Sequence, residues 1–237
     1  MPVLEHIFFD LDKTLWNHTA NIKLALHRLY GIFIEELQAV PLEEFCNTFI
    51  SINDVLWQRF SEGKIDGPHL RYLRFKECMQ DLGIHNNNLA RRLSRKFLEI
   101  APYGKILEEG ALDLLFHFNT RYHLHIITNG FYESQVIKLK SSGIRHYFKT
   151  ITTSDHHGFR KPDIRIFKAA LKKAGALPEN SAYVGDDWLV DIVPAIQLGF
   201  RTFWYKPDEP LQETLSQQVT VINSLIQLQE ILNSEFL

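Results

Sequence analysis

Short apolar runs alternate with amphipathic segments through the second half of the chain. His123-Leu124-His125-Ile126-Ile127-Thr128 is a β-rich run that ends at Asn129-Gly130. Thr150-Ile151-Thr152-Thr153, Ser181-Ala182-Tyr183-Val184 and Phe200-Arg201-Thr202-Phe203-Trp204-Tyr205 repeat the pattern, and Pro207 ends the last of them. Helical spacing fills the intervals 131–142, 163–174 and 189–198. Gly143, Gly175 and Gly199 stand just past those intervals, as C-terminal caps do. Residues 219–222 read as a last strand, followed by a final helix. Strands alternating with helices predict a parallel sheet covered by helices.

The first strand lies at the other end of the chain. His6-Ile7-Phe8-Phe9 is a buried-strand run that stops at Asp10. The stretch that follows has almost no strand signal and carries helical spacing near 20–30, 42–61, 70–82 and 88–100. Leu70, Leu73, Arg74, Glu77, Cys78 and Asp81 show the amphipathic i, i+3, i+4 alternation. Asp66-Gly67-Pro68 starts that helix and Leu82-Gly83 ends it. The chain re-enters the core near Pro102, with a helix at about 109–121. The predicted fold is α/β: a parallel-sheet core with helices on both faces, formed by 1–15 and 102–237. A helical insert, 16–101, interrupts it after the first strand.

A chain of 237 residues is long enough for a core domain and a smaller insert. The formal net charge of -2 provides no field for nucleic acid or an anionic membrane. Cys46 and Cys78 lack ligand-like spacing, so both are expected to be free thiols in a reducing compartment. The opening MPVLEHIFFDLD has neither a basic segment nor the apolar stretch of a signal peptide. No run reaches the roughly 18 apolar residues of a membrane helix. A cytoplasmic location is expected, with no membrane or nucleic-acid polymer as partner.

Four polar clusters fall at predicted strand or helix ends. They are Asp10-Leu11-Asp12-Lys13-Thr14, Thr128-Asn129-Gly130, Lys161-Pro162, and Gly185-Asp186-Asp187 with Asp191 four residues on. Taken singly, Lys161 reads as a solvated surface lysine and each of the other clusters as a turn or a helix cap. Turn chemistry does not explain their joint arrangement where an open parallel sheet binds its ligands.

Carboxylates converging in such a place repel one another and raise each other's pKa. A hard divalent cation removes the conflict, and an oxygen-only site suits Mg2+, with Asp10 and Asp186 as the best carboxylate ligands. A phosphate would complete the shell. Lys161 would neutralise its remaining charge, and the Thr128 hydroxyl and the amide of Asn129 would donate to its oxygens. Asp10 and Asp12 share one side of the chain at period two. One of them would attack phosphorus; the other would protonate the leaving alkoxide and then deprotonate a water.

These four clusters resemble the motifs of the haloacid-dehalogenase superfamily of aspartate-dependent hydrolases. The resemblance implies a Rossmann-like core with a helical cap inserted between the first two motifs. It implies an aspartyl-phosphate at Asp10, acid/base work by Asp12, and phosphate binding by Thr128 and Lys161. It further implies Mg2+ held by Asp10, the backbone carbonyl of Asp12, and Asp186. Asp191 would orient Lys161 or a metal-bound water, a role Asp187 could share. The dehalogenase branch lacks an Asp at the position of Asp12, so the phosphatase branch is favoured.

A closer resemblance is to the pyrimidine-nucleotide 5′-nucleotidases. It is carried by Thr14-Leu15-Trp16-Asn17-His18, Leu56-Trp57, Glu62-Gly63-Lys64-Ile65, Leu70-Arg71 with Arg74-Phe75, and Lys161-Pro162-Asp163-Ile164-Arg165-Ile166-Phe167. It implies a small phosphate monoester as substrate, a nucleoside 5′-monophosphate first among them; a monomer or homodimer is expected. A broad sugar-phosphate or phosphoglycolate phosphatase is the alternative enzyme; a non-catalytic binder on the same fold would not need Asp12. Three positions depart from the pattern: Lys13 where Gly is common, Asn17 where Asp is expected, and Ser154-Asp155-His156-His157-Gly158 where a more acidic loop is expected. Trp16 could stack on a nucleobase or pack at the hinge, whereas packing is favoured for Trp57. The pair His156-His157 reads as a solvated loop, His123 and His125 as structural, and Arg71 with Arg74 as a solvated or salt-bridged helix face.

Overall fold

The computed structural model describes residues 3–205 and 219–234, apart from the side chain of His157. Strand β1, His6–Phe9, has all four residues buried. A strand with no exposed position belongs inside a sheet covered on both faces. It is joined by β2 (His123–Thr128), β3 (Phe148–Thr153), β4 (Ser181–Gly185), β5 (Arg201–Tyr205) and β6 (Val219–Ile222). All the pairings are parallel, in the order β3-β2-β1-β4-β5-β6. The apolar runs therefore predicted every strand of this sheet to within two residues. Pro207, expected to end β5, lies outside the described residues.

The chain divides into two compact units, 1–18 with 105–237, and 19–104. The second unit is helical. Its elements are α1 (His18–Ile32), a single turn α2 (Ile34–Leu37), α3 (Leu42–Ser61), α4 (Gly67–Asp81) and α5 (Asn87–Ile100). Local chemistry sets their starts. The Asp66 side chain accepts from the His69 amide at 2.9 Å, and Asn86 accepts from the amides of Asn88 and Leu89. Phe49, Phe75 and Phe97 come from three different helices and meet at ring-centroid distances of 4.6–5.3 Å. Cys46 and Cys78 are buried free thiols. Trp57 packs edge-on against Phe60 at 5.5 Å.

Arg74 departs from the solvated face expected of it. Its guanidinium is buried, donates to Asn53 Oδ1 at 3.2 Å and lies over the rings of Phe97 and Phe49. Burial, and then the nearby charge of Arg71, push it down to about 10. Helical periodicity reports a face, and a long polar side chain on the buried face escapes it.

In the first unit, α6 (Ala111–Phe118), α7 (Tyr132–Ser141), the single turn α8 (Ser154–His157) and α9 (Ile164–Ala174) follow β1, β2 and β3 in turn. On one sheet face Phe8, Ile127 and Tyr183 pack against Ile166, Phe167 and Ala170 of α9. The stretch 154–158, expected as a loop, is instead α8, closed by Gly158 at φ 70°. The single helix expected over 189–198 is also divided. Residues Trp188–Ile192 form a π-turn, and only Val193–Leu198, α10, is α-helical. Pro194 has no amide to donate back to residue 190, and a wider turn absorbs that loss. The last helix is α11, Leu225–Ser234.

Histidine packing inside the sheet gives the fold a pH dependence. His125 is 1% exposed, hydrogen-bonds His6 at 3.1 Å and Thr150 at 2.8 Å, and stacks on Phe8. Burial first, then the charges of His6, His123 and Lys149, push it down to about 3. Between about pH 6.5 and 3 the unfolded chain takes up this proton and the folded chain does not, so the contribution of this site to stability falls as pH falls. One such site contributes a slope of up to about 1.4 kcal/mol per pH unit. His125→Gln is expected to flatten the acid limb of the Tm-versus-pH curve in that window; an unchanged limb would show that His125 does not titrate there.

Candidate active site

The first unit turns its catalytic candidates out at the carboxyl ends of β1, β2 and β4. Strand order reverses at β1, which pairs β2 on one side and β4 on the other. That reversal is where open α/β sheets leave a crevice. Asp10 follows β1 directly, and its amide still donates to Val184 O on β4 at 2.9 Å. The chain then closes a tight turn, with the amides of Leu15 and Trp16 both donating to Leu11 O. Lys13 occupies the left-handed region at φ 66° in this turn. That is the physical reason a glycine suits the position, and the left-handed conformation costs a β-carbon residue ~1–2 kcal/mol.

Lys161 lies at the centre of a buried polar cluster. Its ammonium is 2.6 Å from Asp10 Oδ1, 2.6 Å from Asp191 Oδ1 and 3.1 Å from the Tyr183 hydroxyl. The Tyr183 hydroxyl in turn donates to Asp191 at 2.8 Å. Asn129 pins the lysine from behind: its side chain accepts from the Lys161 amide at 2.7 Å and donates to the Lys161 carbonyl at 2.9 Å. The Lys161-Pro162 bond is cis. Asp191 reaches the cluster on the π-turn, and Gly185 makes the room. A β-carbon on Gly185 would stand 2.7 Å from Asp191 Cβ.

Asp186 completes the carboxylate set, with Thr14 Oγ1 3.4 Å from its Oδ1 and the Trp204 indole donating to its carbonyl. Carboxylate oxygens of Asp10, Asp186 and Asp191 all lie within 4.8 Å of one another. Three carboxylates against one ammonium leave an excess of negative charge. Burial, then Asp191, pushes Asp186 up to about 7. Burial also raises Asp10 well above the carboxylate range; Lys161 opposes this, and Asp191 and Asp186 add to it. Burial alone would discharge Lys161, but Asp10 and Asp191 hold its ammonium charged. Oxygen-only donors with surplus charge fit a hard divalent cation.

The side chain of Asp12 lies outside this set. Both of its oxygens are held from α7: Lys138 Nζ stands 2.6 Å from Oδ1 and 2.8 Å from Oδ2, and Gln135 Nε2 donates to Oδ2 at 2.9 Å. Burial would raise Asp12, but Lys138, then His18, together with the bonds from Gln135 and Lys138, holds it below the usual carboxylate value. Of the groups expected to ligate metal, the structure therefore gathers the side chains of Asp10 and Asp186, and brings Asp191 to them. The Asp12 side chain is not among them.

The remaining expected residues fall as follows. Thr128 Oγ1 accepts from the Gly130 amide and from Gln135 Nε2. Asn129 spends its side chain on Lys161 rather than on the crevice. Asp187 is exposed and caps the π-turn, accepting from the amides of Leu189 and Val190 at 2.9 Å each. Of the two acids considered for support, Asp191 is the one against Lys161. Trp16 is fully buried, with Lys138 Nζ 4.3 Å from the centre of its ring. Sequence reading missed Tyr183, Gln135 and Lys138. Tyr183 looked like an ordinary strand residue. Gln135 and Lys138 did carry a signal, since they stand three apart on the first turns of the helix that follows Thr128.

The haloacid dehalogenase-like hydrolase family matches residues 7–205. The HAD-hydrolase YfnB of Bacillus subtilis is 30% identical over 232 residues, covering 97% of this chain and 95% of YfnB. Its crystal structure, bound to magnesium, superposes with a TM-score of 0.85 at 29% identity, covering 98% and 99% of the two chains. The pyrimidine 5′-nucleotidase YjjG of Escherichia coli is 30% identical over 228 residues, covering 95% and 96%. A glyceraldehyde 3-phosphate phosphatase of Methanothermobacter thermautotrophicus is also 30% identical, over 239 residues, covering 97% and 100%. With the family matched from β1 through β5 and across the carboxylate cluster, the chain belongs to the haloacid dehalogenase-like hydrolases.

Proposed function

We propose that this protein is a Mg2+-dependent phosphomonoesterase that works through an aspartyl-phosphate at Asp10, with nucleoside 5′-monophosphates, pyrimidines first, as substrates. The observation that carries the reading is the pair Asp10 and Asp12, two residues apart in opposite environments. Asp10 touches Lys161 inside the metal-type cluster, and Asp12 is held apart from it by α7. A hydrolase that attacks carbon–halogen bonds has no use for the second carboxylate, because halide leaves without a proton.

Asp10, the Asp12 carbonyl and Asp186 would hold Mg2+, which supplies Lewis-acid polarisation of the phosphoryl group when bound. The residues supply the rest. An Asp10 carboxylate oxygen forms a bond to phosphorus as the ester P–O bond breaks, and Asp12 gives its proton to the departing alkoxide. Phosphate beside Asp12 brings negative charge that favours the protonated carboxyl needed for this step. Asp12 then takes a proton from water, whose oxygen attacks phosphorus. The acyl-phosphate bond breaks, inorganic phosphate leaves and Asp10 is restored. Lys161 and the Thr128 hydroxyl bind phosphate oxygens, and Asp191 keeps Lys161 charged and in place.

Similarity to YjjG supports the nucleotide reading, and an equal identity to a glyceraldehyde 3-phosphate phosphatase supports a small sugar phosphate as the second. Phosphate release from a panel of dUMP, UMP, dTMP, GMP, phosphoglycolate and triose and hexose phosphates separates them. Pyrimidine nucleotides are expected to lead in kcat/KM; a sugar phosphate ahead by more than about tenfold, ~1.4 kcal/mol, would replace the first reading with the second. Asp10→Asn is expected to lower kcat by about a thousandfold, ~4 kcal/mol, with the fold intact by circular dichroism. Turnover retained in that variant would remove Asp10 as the nucleophile.

Metal binding has a pH signature. A carboxyl raised in the folded state keeps its proton there after the unfolded chain has lost it. From about pH 4 to about 7, the value at Asp186, the contribution of this carboxyl to the stability of the metal-free protein therefore falls as pH rises, opposite in sign to that of His125. Mg2+ needs the carboxylates ionised and removes that penalty. Mg2+ is expected to raise Tm more at about pH 8 than at about pH 5, and Asp186→Asn to remove most of the gain. Equal shifts at both pH values would place the ion elsewhere.

A further inference from the structure

Asp12 sits in a tight turn, outside any helix or strand, and an aspartate there has two side-chain torsions to settle. Both of its oxygens are nevertheless taken up by one helix. Lys138 bonds both, and Gln135 bonds one. The two donors are themselves held. Gln135 is fully buried and its Nε2 also donates to Thr128 Oγ1 at 2.8 Å. Lys138 stands over the ring of the buried Trp16. Gly130 leaves the space: a β-carbon there would fall 1.8 Å from Gln135 Nε2.

This is not an ordinary surface ion pair. The side chains of Lys138 and Asp12 are 12% and 26% exposed, and the contact is doubled, whereas an exposed lysine pair holds little geometry. The contact also joins phosphate-binding and proton-transfer candidates in one chain of bonds, Thr128 to Gln135 to Asp12 to Lys138.

We propose that Lys138 and Gln135 are positioning residues for the acid/base Asp12, so that α7 sets where the leaving-group proton is delivered. The inference rests on the reading of Asp12 as acid/base. A general acid must lie within hydrogen-bond reach of the oxygen it protonates, and general acid–base catalysis is worth about 10²–10⁴-fold when it does. A carboxyl released from α7 would lose its aim. The defect would then appear in kcat rather than KM, and would scale with the need for a proton at the leaving group.

Rapid-quench measurement of phosphoenzyme formation tests this, with full-length protein, Mg2+, p-nitrophenyl phosphate and UMP. p-Nitrophenolate leaves without a proton; the UMP alkoxide does not. Lys138→Met is expected to slow phosphoenzyme formation from UMP by about tenfold to a hundredfold, while the p-nitrophenolate burst changes by less than about threefold. KM is expected to stay within about threefold, and Lys138→Arg to recover much of the rate. Gly130→Ala, which evicts the Gln135 amide, is expected to show the same selectivity. Lys138→Gln substitutes if the methionine variant does not fold. In an Asp12→Asn background the Lys138 substitution is expected to add nothing.

A rise in KM with kcat intact would make Lys138 a substrate contact and overturn the proposal. Equal slowing of both substrates would make it merely structural and do the same. Asp12→Asn alone separates the two levels. If it leaves UMP turnover unchanged, the acid/base reading itself fails. If it abolishes turnover while Lys138→Met and Gly130→Ala do not disturb it, only the positioning role fails.

Discussion

One ammonium among three carboxylates, two of them buried, is the contact on which the rest of the site depends. Lys161 touches Asp10 and Asp191 at 2.6 Å each, and Asp186 closes the group within 4.8 Å. Such a set is unfavourable by itself, because burial strips water from every charge and the carboxylates repel one another. The surrounding structure over-determines it. Asn129 clamps the lysine backbone on both sides, the Tyr183 hydroxyl bridges lysine and Asp191, and Gly185 yields the space into which Asp191 turns. The π-turn at Trp188–Ile192, tied to Pro194 just after it, sets the position from which Asp191 reaches inward. A metal cation would relieve this charge arrangement.

Asp10 and Asp12 show how environment separates two chemically identical groups. Asp10 is buried with two other acids and is pushed up; Asp12 faces Lys138 and Gln135 and is held down. Their spacing of two puts them near one another, but the partners come from different parts of the fold. Lys161 precedes α9, and Lys138 lies on α7. Different pKa values on neighbouring carboxyls are the ordinary route to separate nucleophile and acid/base roles.

Lys13 shows a local rule broken beside this cluster. A glycine would hold φ 66° without cost, whereas a lysine pays steric strain there. Lys13 also contributes positive charge that favours the ionised form of Asp186. Strain at a site where the charge is useful is a common compromise near functional groups.

The strands, the glycine caps, the helical unit between β1 and α6, and the four polar clusters were legible in the sequence. They depend on hydrophobic period and turn chemistry, which act within a few residues. The order β3-β2-β1-β4-β5-β6 was not, because it is settled by which strand edges meet. Nor could spacing say that Asp191 rather than Asp187 would reach Lys161, since Pro194 and the π-turn decide how residues 187–191 wind. The sequence by itself determined that Asp10 and Asp12 stand together at a strand end. Only the tertiary structure decided their partners, Lys161 for one and Lys138 with Gln135 for the other. These contacts span more than a hundred residues, and no local pattern encodes a meeting between elements that far apart.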